Sequence, residues 1–323
     1  MGDESLSITL SDISYSAIPT STTTIVAIGS FLINLDTLYK YIPITDYIVV
    51  PKKRGRKKKT EIINYNEGIP PGSIITITNE DQYRGVKIKT RKKKKKTKKD
   101  YFLNSVTIVM ILNNNKLVNT KISKRGKFQI TGCKMFEQAF ETVTYIYKYI
   151  RNIEKYTGEH VIMFKRTEDA NFIIEETKYF VIFNMVMKNK DFKLNFNINR
   201  ENVDLYFNQN TDFISEYTPE VNPGINLKYK NNFPYEKNLP IIYFDEDTIT
   251  RSNIDFDTLY TLLTPQEQKH LTKKMNEKYH TFMIFHSGSV IVSGSGPQLE
   301  EVYNKFIEIM MCNKEIFEES LRL

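Results

Sequence analysis

One supersecondary pattern occurs twice in this chain, and this internal repeat constrains the fold more than any other feature of the sequence. Residues 281–299 read TFMIFHSGSVIVSGSGPQL, and residues 120–138 read TKISKRGKFQITGCKMFEQ. In each stretch, alternating apolar residues predict two strands joined by a short turn and followed by a long helix. A unit used twice predicts one structure built from two related halves.

Paired glycines set the register between the two copies. Gly126 and Gly132 are spaced like Gly288 and Gly294, and we expect them to mark equivalent turns because glycine tolerates conformations that other residues resist. Each copy then continues into an apolar stripe with helical period. The first stripe comprises Phe136, Ala139, Phe140, Val143, Ile146 and Ile150, and the second comprises Leu299, Val302, Tyr303, Phe306 and Met310.

Strand alternation sorts each hairpin into two faces. The faces expected beneath the helices carry Phe282, Ile284, Val290 and Val292 in the second copy, and Val118, Thr120, Ile122, Phe128 and Ile130 in the first. The opposite face of the second copy is also largely apolar, so it needs a cover: further protein, an oligomer partner or a ligand. The opposite face of the first copy is polar and cationic.

At these residues the sequence resembles the TATA-box-binding protein family. FHSGSVIVSGSG is similar to the family's strand, turn and strand signature, with Ser293 and Gly294 at its terminal Thr-Gly. YTPEVNPGINLKY, from Tyr217, resembles the family's Tyr-x-Pro-Glu-Leu-Phe-Pro-Gly segment. FNMV, residues 183–186, and TTTIVAIGSF, residues 22–31, resemble the opening strands of the two family repeats.

The resemblance implies an α+β fold: a pseudo-twofold saddle of two sheet-and-helix repeats, forming one curved antiparallel sheet with helices on the convex side. The concave face would contact double-stranded DNA in an A/T-rich minor groove. Asn184 stands where the family places a base-contacting Asn, and Thr24 stands at the equivalent position of the first repeat. The implied DNA-binding residues are Thr24, Val26, Lys121, Lys127, Gln129, Thr131, Asn184, Val186, Met283, Phe285, Ile291 and Ser293.

The sequence departs from the family at the aromatic residues that wedge between base steps. Of four such positions only Phe285 is kept, because Asn222 and Ser123 occupy two others and the fourth falls at Ser105 or Val106. In the family, these apolar wedges partly unstack the bases and kink the duplex at each end of its site. Losing most wedges predicts a weaker or asymmetric bend and a looser sequence preference.

Charge is concentrated in two short runs. Residues 52–59 hold seven Lys or Arg and residues 91–99 hold eight, out of 46 in the chain, while Asp and Glu number 38. Without these runs the net charge changes from +8 to −7 (31 bases minus 38 acids). Such runs are either solvated loops or phosphate contacts, and in the second case binding would be strongly salt-dependent.

The predicted organisation is a loose tail (1–21), a first repeat (22–160) with a basic insertion (51–100), and a second repeat (161–323) with a further insertion (231–280). The second insertion is either a partner-docking surface or a permissive loop, and we favour the loop because long insertions cost little entropy.

Neither catalysis nor a bound cofactor is indicated. Four histidines and two cysteines are scattered without metal-ligand spacing, and no phosphate-binding loop motif occurs. We therefore expect no enzyme activity, cofactor, metal or small-molecule substrate, a reducing compartment, and no membrane span.

The predicted function is that of a general transcription initiation factor that recruits general transcription factors or RNA polymerase through its helices. The alternative is a saddle retained as a protein-docking scaffold that does not bend specific DNA. Together with the resemblance, the Lys-, Asn- and Ile-rich composition suggests a large DNA virus or a parasitic eukaryote. The expected location is the nucleus or a viral replication compartment in the host cytoplasm, with packaging in the virion as a further option.

Overall fold

The computed structural model describes residues 13–49, 66–86, 104–164, 179–232, 236–245, 248–262, 265, 268–269 and 278–319. The protein is mainly an antiparallel β-sheet accompanied by a few helices. Both basic runs, at 52–59 and 91–99, lie outside the described residues.

The elements of the first part of the chain are β1 (Thr20–Gly29), β2 (Phe31–Ile33), α1 (Leu35–Tyr41), β3 (Ile74–Asn79), β4 (Gln82–Gly85), β5 (Ser105–Leu112), β6 (Lys116–Ser123), β7 (Lys127–Cys133) and α2 (Phe136–Thr157). Those of the second part are β8 (Ile162–Phe164), β9 (Tyr179–Lys193), α3 (Arg200–Asn210), β10 (Ile214–Glu216), β11 (Ile225–Lys230), β12 (Asn238–Asp245), β13 (Thr248–Asp255), α4 (Phe256–Leu262), β14 (Tyr279–Ile284), β15 (Ser289–Gly294), α5 (Leu299–Cys312) and α6 (Lys314–Phe317).

Strands β1 and β9 pair at the centre of the large sheet. The strand order is β10-β11-β14-β15-β9-β1-β7-β6-β5-β3-β4, and β12 pairs with both β9 and β13. Outward from β9, the second half adds β15, β14, β11 and β10. Outward from β1, the first half adds β7, β6, β5 and β3. The two sides therefore share one strand order, with β4 as an extra edge strand.

Helices pack against one face of this sheet. One buried cluster combines residues of α1 and α2 with Ile25, Ala27, Phe128 and Ile130, and another combines residues of α3, α5 and α6 with Phe282, Val290 and Val292. Every residue of the two predicted buried faces is buried, which confirms the alternation read from the sequence. The predicted helical stripes are also confirmed, with Phe136 alone only partly buried.

The glycine pairs are equivalent at the turns but not at the strand ends. Gly126 and Gly288 have φ values of 70° and 77°, so both hairpin turns use the left-handed region. Gly132 also has a positive φ of 91°, whereas Gly294 does not. At Gly294 the constraint is space, because a Cβ there would lie 2.4 Å from Nδ1 of His280. The expectation that all paired glycines mark equivalent turns is wrong at this position.

The predicted loose tail is wrong for residues 13–21. Ile13 and Ile18 are buried in the cluster beneath α5, and the backbone of Ile13 accepts a hydrogen bond from the Tyr303 hydroxyl. Lys190 Nζ donates to the backbone oxygens of Tyr15, at 2.8 Å, and of Ile18. A buried ammonium needs such acceptors, so these hydrogen bonds hold the segment that leads into β1 against the sheet. Residues 1–12 lie outside the described part of the chain.

The interpretation of the second insertion as a permissive loop is wrong for residues 238–255. Strands β12 and β13 form a hairpin, here called the inserted hairpin, that joins the large sheet through pairs from Ile241↔Ile182 to Phe244↔Tyr179. Ile242 and Phe244 are fully buried in the cluster beneath α2. The Phe244 ring stacks on Tyr147 with ring centroids 4.0 Å apart. The inserted hairpin is therefore part of the core.

We predict that Phe244→Ala destabilises the protein by about 3–5 kcal/mol, the usual cost of removing a buried phenylalanine side chain. Chemical denaturation followed by far-ultraviolet circular dichroism measures this loss. Ile249→Ala, at an exposed position paired with Phe244 on β13, is the matched control and should change stability by less than about 1 kcal/mol. Equal effects of the two substitutions would show that the inserted hairpin is not anchored by Phe244.

Candidate nucleic-acid interface

The sheet face opposite the helices carries rows of side chains in register, because directly paired residues of an antiparallel sheet point to the same side. We call it the far face and define it by two such rows. The row that crosses the first half comprises Asn184, Val26, Gln129, Lys121, Thr107 and Thr78. The row that crosses the second half comprises Thr22, Asn189, Ser293, Thr281, Lys228 and Ile214.

All twelve sequence-predicted site residues lie on or beside the far face. Five of them belong to the two rows, and pairing places Thr131 opposite Thr24, Lys127 opposite Ile28, and Ile291 opposite Met283. Val186 lies at a register shift of β9, and Phe285 follows the last residue of β14. None of the twelve belongs to a buried core cluster. Thr24 is buried, with 8% of its surface exposed, whereas the other eleven residues are partly or fully exposed.

Phe285 lies at the outer end of the second half, beside the residue at the predicted partner position. Its backbone N–H donates to Ser289 O at 2.9 Å, which closes the hairpin turn. Asn222 Nδ2 lies 3.5 Å from Met283 Sδ, and a Cβ on Gly224 would lie 3.3 Å from the Phe285 ring. The ring therefore packs against backbone on one side while remaining partly exposed, and it lies outside the helix-covered core.

The corresponding end of the first half carries hydroxyl groups. Ser105 pairs directly with Ser123, whereas Val106 is fully buried with the helix-covered cluster. Of the two alternatives that the sequence left for the fourth wedge position, only Ser105 thus lies on the far face. No aromatic side chain occupies either wedge position in this half, so the two ends of the far face differ chemically.

A small apolar cluster also lies on the far face of the first half, which sequence reasoning missed. Val109 is paired with Asn119 on the far face, and it packs with Ile75 and Ile111. Tyr47 and Ile69 cover these residues. Part of the outer surface of the first half is therefore occupied by the chain itself. Consecutive apolar residues in β5, VTIVMIL, were the available signal that this strand is covered on both faces.

Lysine side chains lie in both halves of the far face. Lys127 is exposed and Lys121 partly exposed in the first half. In the second half, Lys228 Nζ donates to Glu216 Oε1 at 2.6 Å. This hydrogen bond from Lys228 lowers the pKa of Glu216, which stays ionised and offsets the lysine charge. Both halves of the far face therefore carry lysine side chains, and in the second half a carboxylate accompanies Lys228.

His280 supports the second half from the helix side. It is fully buried on β14, and both of its ring nitrogens lack a hydrogen-bond partner among the described residues. Burial lowers the pKa of His280 to about 4, since desolvation disfavours the charged imidazolium. The ring also contacts the position where a side chain at Gly294 would lie, so it holds the end of β15 beneath α5.

We predict that His280 makes the protein less stable in acid. Its pKa is lower in the folded state than the usual value of 6.5, so the unfolded state binds more protons between pH 6.5 and about 4. Stability should therefore fall as the pH is lowered through that range, by on the order of 3 kcal/mol. Denaturation of wild type and His280→Gln at several pH values measures it, with exposed His160→Gln as the control. An unchanged pH profile in His280→Gln would contradict the assignment.

The described residues contain no group of three or more His, Cys, Asp or Glu side chains that could hold a metal ion. No helix in the described part of the chain is long and apolar enough to cross a membrane. His286, which the sequence placed in an exposed hairpin turn, is indeed in that turn, where its Nε2 contacts the Glu319 carboxylate. The chemistry that the far face offers is hydrogen bonding, apolar contact and positive charge.

Comparison with known proteins relates the chain to two viral proteins. It is 28% identical over 245 residues to "Uncharacterized protein 335L" of Invertebrate iridescent virus 6, covering 73% of this chain and 66% of that protein. It is 30% identical over 164 residues to a "TATA-box-binding protein-like" protein of Acanthamoeba polyphaga mimivirus, covering 46% of this chain and 41% of that protein. The chain thus spans less than two thirds of the length of either relative.

Among solved structures, the chain is similar to Methanococcus jannaschii TBP, with a TM-score of 0.41 and 14% identity, covering 92% of this chain and 98% of that one. No protein-family model matches the sequence. The sequence comparisons indicate a distant relationship to a TATA-box-binding-like viral protein.

Proposed function

We propose that the protein binds double-stranded DNA through the far face, in an A/T-rich minor groove, and acts as a TATA-box-binding-like transcription initiation factor. In this proposal the sheet is a curved saddle with pseudo-twofold symmetry, and the shared strand order of its two sides supports that symmetry. The observation that carries the proposal is the register of the far face, which aligns Asn184, Val26 and Gln129 in one row and adds Ser293 in the other.

These side chains suit a minor groove. A·T pairs present only acceptors there, which amides and hydroxyls can meet by donating hydrogen bonds. Apolar side chains such as Val26 and Ile291 can pack against the sugars and base edges that lie between these acceptors. Lys121 and Lys127 lie on β6 and β7 of the first half, where phosphate contacts would position the duplex without reading its sequence.

The bend that we propose is asymmetric. Phe285 is a partly exposed ring at one end of the far face, whereas Ser105 and Ser123 form the other end. Unstacking a base step costs a few kcal/mol, and an inserted ring offsets this cost by burying apolar surface. Without a ring at the first-half end, the duplex should be kinked at the Phe285 end only.

Docking of general transcription factors or RNA polymerase is proposed for the helix-covered side, where the exposed surfaces of α2 and α5 remain accessible. The name of the mimivirus relative is compatible with such a role. The proposed location is the nucleus or a viral replication compartment in the host cytoplasm, and we propose no enzymatic activity.

The alternative function is a TATA-box-binding-like scaffold that docks transcription proteins without bending specific DNA. Two observations favour it. The wedge position beside Phe285 is occupied by Asn222, and Tyr47 with Ile69 covers part of the far face in the first half. Both features reduce the surface that a sharply bent duplex could contact.

We predict that the protein prefers an A/T-rich duplex over a G/C-rich one and that Phe285→Ala weakens A/T binding roughly 10- to 100-fold. The loss reflects the apolar area of one ring, about 1.5–3 kcal/mol. Fluorescence anisotropy titrations at two salt concentrations measure both effects. Because apolar contact is not screened, the loss caused by Phe285→Ala should be similar at both salts, whereas overall affinity falls with salt.

Tyr156→Ala is the matched control, since it removes an aromatic ring that is 82% exposed near the end of α2. It should bind like wild type. If both duplexes bind alike and Phe285→Ala has no effect, specific minor-groove recognition is wrong and the scaffold alternative is favoured.

A further inference from the structure

Asn189 is a second asparagine on the far face, at the centre of the sheet, and sequence reasoning did not assign it a role. It lies on β9 opposite Thr22 of β1 on one side and Ser293 of β15 on the other. Its neighbour Lys190 points to the helix side, where its ammonium binds the backbone of residues 15 and 18. Strand alternation then directs Asn189 to the far face.

The carboxamides of Asn184 and Asn189 share an unusual arrangement. In both side chains Oδ1 is buried and lacks a hydrogen-bond partner among the described residues. Unlike Oδ1, Nδ2 is not buried without a partner in either residue. Neither Nδ2 donates a hydrogen bond to another residue in the described part of the chain. The N–H groups are therefore the parts of both amides that reach the surface. Because each amide buries its acceptor and exposes its donor, both side chains offer hydrogen-bond donors to a ligand on the far face.

A register shift in β9 allows both side chains to use one face. Thr24 pairs with Met187 and Ile25 with Met185, so Val186 is an extra residue between the two asparagines. Five positions separate Asn184 from Asn189, and without the extra residue they would point to opposite faces. Their partners on β1, Val26 and Thr22, are four residues apart, which is roughly 13 Å along a strand. This spacing is too large for both amides to contact the same base pair.

We propose that Asn189 is a second specificity-determining residue for the minor groove, donating from Nδ2 to an A·T acceptor at a base pair different from the one that Asn184 contacts. The proposal rests on the function proposed above. The ligand chemistry is that of an acceptor-only groove floor, namely adenine N3 and thymine O2, from which guanine's 2-amino group is absent. A donor pair spaced along one strand would lengthen the sequence that the protein distinguishes, in partial compensation for the missing aromatic wedges.

The test uses the full chain and three duplexes whose central base pairs are A·T, inosine·C or G·C. An inosine·C pair has the major groove of G·C but lacks the 2-amino group in the minor groove, so it presents acceptors there as A·T does. Wild type should bind the first two alike and the third more weakly. Asn189→Ala should bind A·T and inosine·C duplexes about two- to tenfold more weakly, the equivalent of one hydrogen bond, and G·C unchanged.

Asn184→Ala and Asn152→Ala are measured in parallel, the latter removing an exposed carboxamide on α2. Thermal unfolding of each variant checks that the fold is intact, and Asn189→Ser serves as a second variant should the alanine fail to fold. If Asn184→Ala loses affinity for A·T while the folded Asn189 variants bind all three duplexes like wild type, the role of Asn189 is wrong and the proposed function stands. If wild type does not distinguish A·T from G·C, the proposed function fails, and the inference with it.

Discussion

The pairing of β1 with β9 is the constraint on which the rest of the structure depends. It runs from Thr20↔Lys190 to Gly29↔Val181 and joins the two halves of one sheet, each of which has its own helix-covered core. Because β9 is 15 residues long, it also pairs with β15 near one end and with β12 near the other. Losing this pair would leave two half-sheets with exposed edges, which are prone to non-native pairing.

The same central pair determines what the far face can do. It places Asn184 beside Val26 and Asn189 beside Thr22, so the side chains that we propose contact DNA converge where the two halves meet. Toward the ends the halves differ, with an aromatic ring in the second and hydroxyls and a covering cluster in the first. The two halves therefore share a strand order but present different side chains at their ends.

The sequence predicted the parts of the fold that depend on local periodicity. Alternation identified the buried faces of both hairpins, and glycines identified their turns, because each signal lies within about twenty residues. Packing of residues 13–18 beneath α5 and anchoring of Phe244 beneath α2 were not predicted, since both depend on partners distant in the sequence. For the site, the residues that the resemblance implies share one face of the sheet, and their role in binding stays a prediction. The placement of Asn189 depends on a register shift that no short motif encodes.

Hydroxyl-radical footprinting of the full chain with and without an A/T-rich duplex tests most directly whether the far face is the DNA-binding surface. Met283 and Phe285 lie on that face, whereas Met135 and Tyr156 are exposed near the two ends of α2, and all four are readily oxidised side chains. We predict that the duplex protects Met283 and Phe285 and leaves Met135 and Tyr156 unchanged. Protection of the α2 residues with continued oxidation of Met283 and Phe285 would contradict a DNA-binding role for the far face.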